Sequence, residues 1–455
     1  MGITIFNKLK IAPNLIKVRE DDDISMLSEC VDNKFTALEK CSLCDKDAEL
    51  EVIDVRRRVE PWLTALFQSE HLSLLIGTGL TTAACSVIPG AKARGMDNIV
   101  FTHCAKVIKE AADLSAKEMG RGAANFEDSI RTANDLVRGL TILGQLRRAR
   151  VLNDEIQAKM VGLVKAILEN EEVLDGDNGQ EAWNLLGNFL LSFAARTGGK
   201  ERLNLFTTNY DRVLEKTADR VGVRFVDRFV GALEPVFRSS RLDVDYHYNP
   251  PGIRGEPRYL EGVVRFTKLH GSLDWFQCGD KIRRIGLPFG AKTIGPYLEL
   301  ENVSARQDLI IYPNSSKDRE TAEYPYVDLF RDFAAAICRP NSTLVTYGYG
   351  FGDGHINRII EDSLSITSTH LVIISYDLAD GRIASFYERN RAKSQISLLV
   401  GKDVAGLKDL VLSYLPKPAI DTAMSRLAKN LEARTIVERP NNDGPVHKKS
   451  SKEEH

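Results

Sequence analysis

Leu203-Asn204-Leu205-Phe206-Thr207-Thr208-Asn209-Tyr210-Asp211 is a short apolar run that stops abruptly in a polar cluster. The same pattern returns at residues 263–269, which end in His270-Gly271-Ser272. Buried strands that deliver an amide, a carboxylate and an imidazole at their carboxyl ends are how open α/β sheets build their sites. Outward from this stretch, further strand candidates lie at residues 71–76, 309–312, 344–347, 371–375 and 396–400. Several are separated by helical stretches, and this predicts an α/β fold with a Rossmann-like, mainly parallel sheet.

The chain has 455 residues, 43% of them hydrophobic, enough for a sizeable core in one large domain or two to three ordinary ones. Its formal net charge of −2 supplies no global field toward nucleic acid or an anionic membrane. Nucleic acid is therefore expected only through a partner. No stretch approaches the roughly 20 apolar residues that span a bilayer, and the amino terminus lacks the apolar core of a signal peptide. Phe6 stands where an N-myristoylation signal wants Ser or Thr, so the expected location is the cytoplasm, without a membrane. The seven cysteines have no framework spacing, which fits free thiols. Cys41-Ser42-Leu43-Cys44 is the only close pair, and with no second pair or nearby His to complete a zinc site, no metal is expected.

Residues 1–60 are read as a helical N-terminal extension, with Asp21-Asp22-Asp23 as a helix start and helix-like apolar spacing after Ile24. Residues 61–420 form the main domain. Within it a large helical insertion covers about 101–200, where Leu136, Leu140 and Leu143, then Trp183, Leu186, Phe189 and Leu190, recur at helical spacing. Residues 238–262, rich in Gly, Pro and Tyr, are too long for an ordinary connection and read as a lid or partner surface. Residues 421–455 are read as a C-terminal helix and a disordered tail.

Five polar clusters sit at strand ends, each with a structural alternative. Gly77-Thr78-Gly79 follows a strand and opens a helix, where backbone N–H groups can receive a diphosphate; the alternative is a turn needed for tight backbone packing. The full G-x-G-x-x-G fingerprint is absent because position 82 is Thr82. In Thr207-Thr208-Asn209-Tyr210-Asp211, Asn209 can fix a water or a ribose hydroxyl and Asp211 can stabilise developing positive charge, whereas helix capping explains one polar residue but poorly explains four. His270 is a candidate general base, or else a hydrogen-bonded structural histidine. Gly348-Tyr349-Gly350-Phe351-Gly352-Asp353-Gly354-His355-Ile356-Asn357 permits close backbone approach to a ligand, or forms a turn plus cap. Ser375-Tyr376-Asp377 can take an adenosine ribose or simply end a strand.

The order of these motifs, with Ile88-Pro89-Gly90 after the first and Lys268-Leu269-His270-Gly271-Ser272-Leu273 as the third, resembles the sirtuin family, in its bacterial defence-associated branch. The resemblance spans residues from about 70 to 400. It implies an NAD-binding domain in which His270 acts as base on the ribose hydroxyls, Asn209 holds the attacking water or the ribose, and Asp211 orients the nicotinamide end. Gly77, Thr78 and Gly79 would receive the diphosphate, with Thr207 and Thr208 beside them and Gly348, Gly350, Phe351 and Ser375 along the adenosine side. Only Cys278 and Cys338 follow the His-Gly motif, so the four-cysteine zinc module of protein deacylases is absent. The resemblance thus implies an NAD hydrolase that depletes NAD in antiphage defence, forms a homo-oligomer and acts beside a HerA-type ATPase. A non-catalytic NAD- or ADP-ribose-sensing subunit of an ATPase or nuclease complex, and an NAD-dependent deacylase or ADP-ribosyltransferase, are the alternatives.

Overall fold

Parallel strands buried on both faces read as nearly continuous apolar runs, because helices cover the sheet on either side. The computed structural model describes residues 12–417, apart from 19–23, 41–44, 96–98, 119–123, 197–199, 241–243, 249–257, 301–308, 312–323 and 391–392. Its main sheet has nine strands: β1 (Asn14–Lys17), β2 (Ser25–Leu27), β3 (His71–Ile76), β4 (Asn204–Thr207), β5 (Arg224–Val226), β6 (Val263–Lys268), β7 (Ser342–Tyr347), β8 (His370–Ser375) and β9 (Ile396–Val400). Their spatial order is β2-β1-β9-β8-β7-β3-β4-β6-β5. From β9 to β5 every pairing is parallel, while β1 and β2 add an antiparallel edge. The fold is therefore the Rossmann-like α/β architecture expected from the pattern.

The described helices that cover the sheet and fill the insertion are α1 (Val52–Phe67), α2 (Gly79–Val87), α3 (Ala105–Glu118), α4 (Phe126–Ile142), α5 (Leu146–Asp175), α6 (Gln180–Ala194), α7 (Val213–Val221), α8 (Tyr326–Ile337), α9 (Gly354–Ser363) and α10 (Arg382–Arg389). Successive strand residues alternate between faces. Leu74 and Ile76 of β3 thus join one core with Val59 of α1, Phe189 of α6 and Leu214 of α7. Leu75 faces the other core, with Phe333 of α8, Ile360 of α9 and Phe386 of α10. The chain leaves β3 toward β4 on one side, and β7, β8 and β9 later build out on the other. Such a switch opens a crevice at the carboxyl ends of the two strands where the order reverses, here β3 and β7.

The helical insertion between β3 and β4 consists of α3 to α6. A reciprocal cap starts α4: Asn125 accepts from the Asp128 backbone at 2.9 Å, and Asp128 accepts from the Asn125 backbone at 3.1 Å. Its apolar stripe, with Ile130 and Ala133, packs with Leu152 and Ile167 of α5 into a third core that also holds Tyr210, Leu273 and Phe276. The insertion is thereby anchored on two of the motif loops.

Three expectations change. Among the described residues the N-terminal extension is helical only from Val52; before it lie β1 and β2 and a two-strand ribbon of Lys34–Thr36 with Glu49–Glu51. Pairing of β2 on β1, which itself pairs on the β9 edge, supplies backbone partners that outweigh the local helical spacing after Ile24. Residues 309–311 form a strand, but it pairs antiparallel with Gly271–Cys278 in a separate five-stranded sheet, since apolar content marks a strand without naming its partner. In the expected long loop, His247–Tyr248 pairs with Arg258–Tyr259 as a short antiparallel ribbon. The Asp21 to Asp23 run, the Cys41–Cys44 pair and the C-terminal helix and tail lie outside the described residues.

Candidate functional site

Register alone brings the motifs level. Thr207 of β4 lies opposite both Ile76 of β3 and Lys268 of β6, and Ile76 lies opposite Tyr347 of β7. Counting two residues onward along these four neighbouring parallel strands gives Thr78, Asn209, His270 and Tyr349. Four motifs from distant parts of the sequence therefore share the carboxyl edge of one sheet.

Asn209 is 3% exposed. Its backbone N–H donates to Thr207 Oγ1 at 3.0 Å, and its Nδ2 donates to Thr81 Oγ1 at 3.3 Å. Thr81, in the first turn of α2, donates in turn to Asp211 Oδ2 at 2.7 Å. Asn209 Oδ1 is buried and has no hydrogen-bond partner. The amide is thus oriented by one end and keeps an acceptor for something else. Asp211 Oδ1 also accepts from the Val213 backbone at 3.2 Å, so the capping alternative holds for this carboxylate alone. Thr207 donates to the Ile76 carbonyl at 3.0 Å, and the Thr208 backbone donates to the same oxygen at 3.0 Å, stitching β4 to β3.

The His270 side chain is 17% exposed, and its Nε2 lies 3.0 Å from Asp353 Oδ2. An ionised carboxylate only accepts, so Nε2 carries the proton and Nδ1 of the neutral ring keeps its lone pair. The other oxygen of Asp353 caps α9, accepting from the His355 and Ile356 backbones at 2.9 and 3.3 Å. One carboxylate therefore ends the glycine-rich turn and sets the imidazole. The rings of Tyr210 and Phe330 flank His270, with centroids 6.3 and 6.5 Å away.

The two glycine turns hold each other. Gly77 N–H donates to the Tyr347 carbonyl at 3.0 Å and Gly79 N–H to the Gly348 carbonyl at 3.1 Å. A Cβ on Gly79 would stand 2.5 Å from Gly348 Cα, and one on Gly348, whose φ is +60°, 2.6 Å from Gly79 Cα. Tight backbone packing thus accounts for these glycines, and Thr78 lies between them as the N-cap position of α2. Phe351 adopts φ 51° and is buried, while the Gly350 carbonyl accepts from Arg382 Nε at 2.6 Å. Ser375 ends β8, buried, its carbonyl accepting from Gly401 N–H at 3.0 Å. Asn357 Oδ1 accepts from the Tyr349 hydroxyl at 3.0 Å and its Nδ2 donates to the Phe351 carbonyl at 2.9 Å, so this asparagine is part of the turn's framework. Burial, then the neighbouring Asp353 carboxylate, pushes the Tyr349 phenol well up. It stays a neutral donor.

Supporting residues were missed from the sequence. Arg212, beside Asp211, is buried against the fully buried Glu171 of α5, which accepts from its backbone N–H at 2.9 Å and from its guanidinium at 2.5 Å. Lys268 donates to the Asp211 carbonyl and pairs with Glu215 at 3.0 Å, fixing the same loop from below. Burial pushes the Glu215 carboxyl up. Burial, then nearby Asp211, pushes the Cys85 thiol to about 11, so this cysteine is no nucleophile at neutral pH. Asp353 could have been found, since it closes a glycine-rich turn before a helix; Glu171, inside a 30-residue helix near its C-terminal end, has no such signal.

Among the described residues no group of three or more His, Cys, Asp or Glu is placed to hold a metal ion, and no helix is long and apolar enough to cross a membrane. Residues 203–397 match the family model of the SIR2-like domain. The match begins at the stretch that opens β4 and ends inside β9, so it covers Asn209, His270, the glycine-rich turn and Ser375. It supports a sirtuin-like family for this chain and, with it, NAD-dependent chemistry in general, since SIR2-like domains bind NAD. No curated protein matches the chain.

Proposed function

We propose that the chain hydrolyses NAD at the bond between nicotinamide and ribose, giving nicotinamide and ADP-ribose. The observation that carries this reading is the placement of Asn209 and His270 two residues beyond a directly paired position on adjacent parallel strands. One presents a buried amide oxygen without a partner, the other an imidazole set by Asp353.

Nicotinamide in NAD is attached through a cationic ring nitrogen. As the glycosidic bond breaks, its electron pair passes to that nitrogen, the leaving group becomes neutral and positive charge develops on the ribose. The site then has to stabilise that charge and admit one water. Asp211, held by Thr81 and the Val213 backbone, supplies negative charge near the nicotinamide end. Asn209 Oδ1 accepts a hydrogen bond from the attacking water or a ribose hydroxyl. His270 Nδ1 takes a proton from the ribose hydroxyl or the water, and the charged ring is stabilised by Asp353. Water oxygen bonds to the anomeric carbon, and the released proton leaves through His270. Gly77, Thr78, Gly79, Gly348, Gly350, Phe351 and Ser375 would frame the diphosphate and adenosine along the same edge.

This chemistry suits NAD depletion in antiphage defence, in a homo-oligomer acting beside a HerA-type ATPase. The test is to incubate purified protein with NAD, with and without that partner, and to follow nicotinamide and ADP-ribose. His270→Ala and Asn209→Ala are each expected to lower turnover by about 10²–10³ while remaining folded. NAD left intact under both conditions, or full turnover by either variant, would overturn the reading.

A further inference from the structure

Behind the glycine-rich turn, between α9 and α10, lies a polar cleft of about 160 Å³ lined by three arginines and one acidic residue. Arg358 and Glu361 come from α9, and Arg382, Ser385 and Arg389 from α10. The spacing follows from helix geometry, since residues three and four apart share a face. Two of the guanidinium groups are fixed in advance. Arg382 donates to the Gly350 carbonyl at 2.6 Å and to Asp380 at 3.2 Å, and a Cβ on Gly350 would meet its Nη2 at 3.2 Å. Arg389 pairs with Glu361 at 2.7 Å and lies over the Phe386 ring at 5.1 Å. Arg358 is exposed and has neither a hydrogen-bond nor an ion-pair partner among the described residues. The lining therefore carries two positive charges in excess of its one carboxylate.

We propose that this cleft binds a small diphosphate anion, and that its occupancy acts on the glycine-rich turn through Arg382. Guanidinium forks match phosphate oxygens in pairs, and they do so best when they are already oriented. At ~30 Å³ for each water of the liquid, the space takes about five waters or more, enough for a compact anion such as a diphosphate. Arg382 holds the Gly350 carbonyl with Nε, so an anion that engages the same guanidinium alters its hold on the turn. The inference stands apart from the NAD reading, because none of its charged residues belongs to the proposed catalytic set.

Inorganic pyrophosphate is the probe, titrated calorimetrically into the full chain at about 0.15 M salt, with ADP as competitor. Saturable binding is expected, weakened at least tenfold in Arg358→Glu and in Arg389→Gln. It should be unchanged in His270→Ala and Asn209→Ala, and thermal melts should show each variant folded. Displacement by ADP assigns the site to nucleoside diphosphates, and its absence assigns it to the free anion. Failure of pyrophosphate to bind, binding indifferent to Arg358, or binding lost together with His270 would overturn the proposal. It would fail even if NAD hydrolysis were confirmed, and it would survive if hydrolysis were refuted.

Discussion

The two edges of the main sheet are built from the same residue types and put them to different use. At the amino edge, where β3, β4, β6 and β7 begin, Glu201 bonds His71 and pairs with Arg339 at 3.0 Å and Arg265 at 3.6 Å; Arg265 reaches Asp245 at 3.4 Å, and Asp245 holds Arg202 at 2.9 Å. The charges answer one another in a chain. At the carboxyl edge, by contrast, Asn209 and Asp211 share one loop and His270 sits on the next, each held by a hydroxyl, a backbone N–H or a single carboxylate. Buried atoms without partners occur at both edges, Asn204 Nδ2 and Arg265 Nε at one and Asn209 Oδ1 at the other, so an orphaned atom alone does not mark a site. What separates the edges is the interlock of Gly77, Gly79 and Gly348, which closes the strand tips together without filling the space with side chains.

The largest effect should come from breaking the support of the carboxyl edge. Glu171→Ala leaves Arg212 charged and buried without its partner, which costs about 3–5 kcal/mol. Chemical denaturation should show that loss, and NAD turnover should fall with it because Asp211 is the next residue. Gly348→Ala adds a Cβ 2.6 Å from backbone at a left-handed φ, and overpacking together with the conformational strain is expected to cost about 2–5 kcal/mol. A melt unchanged by that substitution would mean that the two turns do not clasp as described. Glu201→Ala at the amino edge should lower stability while leaving turnover per folded molecule intact, and His270→Ala should do the reverse. Equal losses of both quantities in both variants would erase the distinction between the edges.

Much of this was legible because parallel strands carry a simple signature. Parallel strands of this sheet are apolar runs ended by Gly or a polar cluster, among them those that stop at Gly77, Thr207, His270, Gly348 and Ser375, and the crevice rule then gives the edge on which ligands sit. His71–Ile76 and Ile396–Val400 match their sequence bounds to the residue. The N-terminal strands were not legible, because β1 exists by pairing with the distant β9 and β2 by pairing with β1, and local spacing after Ile24 carries no trace of either pairing. The second sheet was hidden for the same reason: Gly271–Cys278 follows the His270 turn without an intervening break. At the site, the chemistry-bearing side chains stood out while their supports did not. Thr81 looked like one small residue in a helix start, and its value lies in standing between Asn209 and Asp211, a relation that only the fold creates.

The smallest expected effect sharpens the comparison through two histidines. His370 opens β8 at the amino edge, its Nε2 2.8 Å from Ser397 Oγ, which also accepts from Trp62 Nε1 at 2.9 Å. With Trp62 donating to that oxygen, the Ser397 hydroxyl donates to an unprotonated Nε2. Burial, helped by Lys17, pushes the imidazole down to about 4, below its unfolded value of about 6.5. Between those values the unfolded chain binds the proton and the folded chain does not. The stability contributed by neutral His370 is thus complete above about pH 6.5 and is lost as pH falls toward 4, by at most about 1.4 kcal/mol per pH unit. His370→Gln should flatten that part of the stability profile, measured by denaturant unfolding from pH 5 to 8. It should leave the pH dependence of NAD turnover unchanged, since His370 and His270 belong to opposite edges. A turnover profile that moved with His370→Gln would show the edges to be coupled, and the amino-edge network would then have to be counted as part of the site.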